Sequence, residues 1–100
     1  MGRLETLLGT WEVGVVDLSL SGAKVDVAQR PKVRTAVLRW LNFEAIGEVV
    51  WRNDHLLGIN FDRPLPIETL YATREIAPAV VGLDAVTEAA REWATGKSSA

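Results

Sequence analysis

The residues whose types and spacing leave most room for chemistry are Asp17-Leu18-Ser19-Leu20-Ser21-Gly22. Taken alone they describe a polar turn. Aspartate and serine side chains bond to nearby backbone amides, and glycine takes a positive φ at little cost. Other candidates are sparser. His55, the only histidine, stands beside Asp54, but a Ser–His–Asp arrangement would need a serine that nothing in the chain marks, and a surface histidine is the simpler reading. Glu88 and Glu92 lie one helical turn apart with Arg91 between them, which describes a solvated face better than an acid–base pair. Arg30, Lys32 and Arg34 read as a solvated basic loop. With one histidine and no cysteine, neither a thiolate metal centre nor a disulfide framework is possible, and no metal-ligand spacing is present. The expectation is a non-enzyme without a metal site.

The elements around the Asp17 turn are strands. Upstream, Trp11, Val13 and Val15 alternate with Glu12, Gly14 and Val16; downstream, Ala23, Val25 and Val27 alternate with Lys24 and Asp26. Period-two alternation on both sides predicts two half-buried strands. Gly9-Thr10 predicts a hairpin between a strand at about 3–8 and one at 10–17, a register that sets Arg3 opposite Val16, beside Asp17. Further strands are expected at 35–41, with Ala36, Leu38 and Trp40 on one face, and from Phe43, with Ala45, Gly47, Val49 and Trp51 sharing its face. Arg52-Asn53-Asp54 reads as a turn, and His55, Leu57, Ile59 and Phe61 as the last strand. Six short strands at close spacing describe a small antiparallel barrel or sandwich, mainly β. Trp11, Trp40 and Trp51 fall on apolar phases and are expected in its core, in preference to a base-stacking platform.

Pro64 and Pro66 end the sheet pattern. A helix is expected at about 66–77, closed by Pro78, and a second at about 84–95. In the latter Val86, Ala89, Ala90 and Trp93 form an apolar stripe, with Asp84 as N-cap and Gly96 as stop. Residues 1–96 then make one domain, with the barrel at about 3–62 and a flexible tail at 97–100.

One hundred residues, 48% of them apolar, are enough to bury a core without covalent staples. A net charge of −2 and a pI near 5.3 argue against nucleic acid as a partner. No apolar run approaches the ~20 residues of a membrane span and no signal peptide opens the chain, so a cytoplasmic location is expected.

Asp-x-Ser-x-x-Gly at 17–22, entered by an apolar strand and left by Ala23-Lys24-Val25, resembles the signature of PilZ domains, bacterial receptor modules for the second messenger cyclic di-GMP. Gly47-Glu48-Val49-Val50-Trp51-Arg52 and Leu57-Gly58-Ile59-Asn60-Phe61 are similar to that family's last two core strands. The likeness covers roughly residues 10–76. It implies a six-stranded antiparallel PilZ-type barrel with one or two C-terminal helices, and cyclic di-GMP as the candidate ligand, with no other cofactor. It also implies roles: Asp17 accepts from a guanine edge, Ser19 bonds to ligand or backbone, and Gly22 lets the chain come close. The family's second element, Arg-x-x-x-Arg before the first strand, is missing. Only Arg3 stands there, and the Arg30/Arg34 pair of that spacing follows the motif and should lie at the opposite end of a barrel. Two bidentate arginines account for much of such an affinity, so the resemblance implies nucleotide binding that is weak or lost. The alternative is a PilZ-like interaction module that holds a protein partner, or a second copy of itself, and binds no nucleotide.

Overall fold

A computed structural model of the protein describes residues 2–28, 32–82 and 84–91. Six strands, β1 (Gly2–Thr6), β2 (Gly9–Leu18), β3 (Gly22–Asp26), β4 (Thr35–Trp40), β5 (Phe43–Asn53) and β6 (Leu56–Phe61), close into an antiparallel barrel in the order β1-β2-β3-β6-β5-β4. Of the two architectures that the strand pattern allowed, the chain takes the barrel. Its interior is the set that period-two alternation selects: Val13 and Val15, Val25, Ala36, Leu38 and Trp40, and Leu57, Ile59 and Phe61 are all buried. Trp40 stacks against Phe61 with the two rings nearly parallel.

Two hairpins turn on a residue with positive φ, Leu41 (φ 51°) and Asp54 (φ 51°). The β1–β2 hairpin differs from its expected form. Its turn is Leu7-Leu8, not Gly9-Thr10, because the Thr6 hydroxyl accepts the Leu8 N–H at 3.0 Å and Gly9 takes φ 142°. The register moves with the turn. Arg3 pairs with Glu12, not Val16. A shift of four residues is even, so it keeps every side chain on its expected face while carrying Arg3 along the barrel.

Two β-bulges break the alternation. One lies between Val15 and Asp17 on β2, the other between Val49 and Trp51 on β5. Each inserts one residue into its strand, so two neighbours point outward and the phase reverses beyond them. Val16 and Asp17 both face solvent, and Leu18 returns to the core. Val50 and Trp51 likewise face outward, and Trp51 is 41% exposed. Trp51 is therefore not a core residue, contrary to its place in the pattern; Trp40 is, and Trp11 is half-buried against the core.

Helix α1 (Ile67–Ile76) follows Pro64 and Pro66, with Glu68 in its first turn and Arg74 in its last, both favourable to its dipole. It buries Leu70 and Thr73, and the Thr73 hydroxyl accepts the Trp40 Nε1–H at 3.0 Å while donating to the Thr69 carbonyl at 2.8 Å. That pair joins the helix to the barrel core. Beyond α1, the Leu18 N–H donates to the Val80 carbonyl and Arg74 donates to that of Val81. The second helix, α2, is described over 84–91. Asp84 is already inside its first turn and is not its cap. Ala89 is fully buried and Val86 half-buried, as the stripe requires, whereas Ala90 is exposed. Trp93, Gly96 and the tail at 97–100 lie outside the described residues. Among the described residues, no helix is long and apolar enough to cross a membrane.

Candidate functional site

The Asp17–Gly22 turn joins β2 to β3 at one end of the barrel, and most of its polar groups are committed to building it. The Ser19 N–H donates to the Gly22 carbonyl at 2.9 Å, and the Ser19 hydroxyl donates to the same oxygen at 3.2 Å. The Leu20 and Ser21 carbonyls accept the N–H groups of Leu65 and Phe61, stitching the turn to the chain that leaves β6. Gly22 is needed for close approach, but to β6: a Cβ there would stand 2.2 Å from the Ile59 carbonyl oxygen. Ser19 and Gly22 thus shape the turn, and Asp17 is the motif residue whose side chain is free to meet a ligand. Its carboxylate is exposed.

Asp17 opens onto two surfaces. Toward α2 lies a depression of about 400 Å³ lined by Asp17, Ser19, Gly82, Asp84, Ala85 and Glu88. Three of these residues are carboxylates, so the field there repels anions. In the other direction the outer face of the barrel carries a transverse row, Asp17 paired with Lys24, Lys24 with Gly58, and Gly58 with Trp51. The Trp51 indole folds back over Gly58, where the missing side chain leaves room for it; a Cβ on Gly58 would lie 2.0 Å from Trp51 Nε1. The Lys24 ammonium stands 5.9 Å from the centre of the same ring, within cation–π range. An acceptor, a cation and a partly exposed indole (Trp51 is 41% exposed) therefore follow one another across about two interstrand spacings, roughly 10 Å. Val16 and Val50 give the row an apolar margin.

Arg3 does not join this group. Its partner Glu12 lies five residues before Asp17 on β2, roughly 16 Å along the strand and beyond an arginine's reach. Arg3 lines a separate depression of about 480 Å³ with Gly2, Glu12, Arg39, Trp40 and Leu41. Arg39, directly opposite Arg3 on β4, is engaged elsewhere. A hydrogen bond to Glu5 at 2.9 Å, together with the nearby charge of Glu44, holds its pKa above the ordinary arginine value. Arg34 precedes β4 beside the Leu7-Leu8 hairpin, and its carbonyl accepts the Val49 N–H at 2.7 Å, two residues from Trp51 on β5 rather than beside Asp17. Arg30 lies outside the described residues. Among the described residues, no group of three or more His, Asp or Glu could hold a metal ion.

Lys24 enters the sequence reading as a strand residue only, and Trp51 enters it as a core residue in preference to a base-stacking platform. The signal lay in Gly58: a glycine in mid-strand implies that something approaches closely, and on the neighbouring strand Trp51 was available to do so. Comparison of the chain with family models, with curated proteins and with solved structures returned no match.

Proposed function

We propose that this chain is a bacterial signalling module of the PilZ type, whose barrel face takes a guanine nucleotide, with cyclic di-GMP the candidate, bound weakly by a face on which the described residues place no arginine pair beside Asp17. One observation carries this reading: the row Asp17–Lys24–Trp51 supplies what such a ligand needs. A guanine would stack on the exposed indole, a contact worth about 1–3 kcal/mol. Its N1–H and N2–H donors suit a carboxylate such as that of Asp17, and the Lys24 ammonium suits a phosphate. The ligand would bear on partner choice by covering the apolar margin of Val16 and Val50.

The rival reading, a barrel that holds a protein and no nucleotide, draws on a different observation. Asp84 and Glu88 flank Asp17 on the α2 side and oppose any phosphate placed there. Titration calorimetry with cyclic di-GMP separates the two. Weak, saturable binding that falls about tenfold or more in Asp17→Ala, the loss of one charge-assisted bond, supports the receptor. An absence of heat at the highest attainable ligand concentration supports the interaction module.

A further inference from the structure

The barrel end opposite the Asp17 turn has an architecture that the nucleotide reading leaves unused. At its tip are Leu7 and Leu8, the two turn residues of the β1–β2 hairpin. Leu7 is fully exposed and Leu8 is 70% exposed. This turn is held in place: Thr6 accepts the Leu8 N–H and donates to the Gly9 carbonyl, and Gly9 supplies the φ of 142°. The backbone thus presents two adjacent leucines outward. Beside them is an open groove of about 740 Å³ whose wall includes Val33, Val37, Lys32 and Arg34. Lys32 and Arg34 are exposed, and Arg52 donates to the Val33 carbonyl, with the exposed Asp54 two residues beyond it at the β5–β6 turn. Among the described residues, the one carboxylate lining the groove is Glu5, which is ion-paired with Arg39.

We infer that this end docks on an anionic lipid surface, with Leu7 and Leu8 entering the headgroup boundary and Lys32 and Arg34 resting on the lipid phosphates. The choice of occupant follows from the pairing of exposed apolar side chains with cations. Two adjacent exposed leucines suit insertion at a headgroup boundary, where apolar side chains bury among acyl chains while neighbouring cations meet the phosphates. Although the chain is net acidic, the groove beside the tip has cations and one paired acid, the complement of an anionic leaflet.

The test is flotation of the full chain with phosphatidylglycerol vesicles and with pure phosphatidylcholine vesicles. Binding is expected to the former and to weaken as salt rises. Lys32→Gln with Arg34→Gln should reduce it about fivefold for each charge, and Leu7→Ser with Leu8→Ser at least about tenfold. All four side chains are solvent-facing or half-exposed at the surface, so both variants should keep the parent Tm, checked by calorimetry. No binding by the parent chain overturns the inference, as does equal binding by the leucine variant. So does light scattering that shows a dimer dispersed by the leucine variant in a chain that ignores vesicles, since the tip would then be a contact between copies.

Discussion

Gly58→Ala reports directly on the packing that builds the candidate site. The added methyl would lie 2.0, 2.1 and 2.6 Å from Nε1, Cε2 and Cδ1 of Trp51, and these are its three nearest neighbours. Ordinary contact begins near 3.4 Å, so something must move by more than 1 Å. The Gly58 backbone is paired on both sides, to Lys24 and to Trp51, and the exposed indole is the part free to swing away. In leaving, it gives up its place beneath the Lys24 ammonium, worth about 0.5–1 kcal/mol. It also returns roughly 40 Å² of apolar surface to water, about 1 kcal/mol. Alanine recovers about 0.5–1 kcal/mol through its lower strand entropy cost. The net result is a destabilisation of about 0.5–1.5 kcal/mol. In a Trp51→Ala background the obstacle is gone, and the same change should become stabilising by about 0.5–1 kcal/mol. Urea denaturation of the four proteins measures this cycle, and a change of sign with a coupling of about 1.5–2 kcal/mol is expected. Equal effects of Gly58→Ala in both backgrounds would refute the account of why Trp51 faces outward.

Two further predictions concern the frame. Thr73→Val keeps the shape of the side chain but leaves the buried Trp40 Nε1–H without its acceptor; this should cost about 1–3 kcal/mol and lower Tm by about 4–8 °C per kcal/mol in a domain of this size. Calorimetry reads it, and an unchanged Tm would mean that the bond does not anchor α1. Leu41→Gly should stabilise the protein by about 1 kcal/mol, because Leu41 is held at φ 51° and is only partly covered, at 42% exposed. An urea midpoint that falls would show that its contacts outweigh the strain.

Much of the barrel is legible in the sequence because its core strands keep period two: Val13 and Val15, Ala36, Leu38 and Trp40, and Leu57, Ile59 and Phe61 are inward as their spacing requires. What escapes is whatever depends on a single extra residue. The bulges at Val16 and Val50 leave no mark in composition, yet they decide that Asp17 and Trp51 face outward. The β1–β2 register escapes for a related reason. Leucines are not turn residues by type, and Leu7-Leu8 turns only because Thr6 and Gly9 on either side supply the hydrogen bonds and the backbone freedom. Of the candidate site, the sequence reading names Asp17, which faces outward; Ser19 and Gly22, which it also names, are occupied in forming the turn, and Arg3 lies on a different part of the surface. Lys24 and Trp51 become neighbours only when three strands are laid side by side.

Amide and indole NMR spectra recorded while cyclic di-GMP is added test the central claim at residue level. The account predicts saturable movement of the Trp51 indole N–H and of the Lys24 and Asp17 amides, with the Arg3 and Leu8 amides stationary. Movement centred on Arg3 and Arg39, or none up to the limit of ligand solubility, would contradict it.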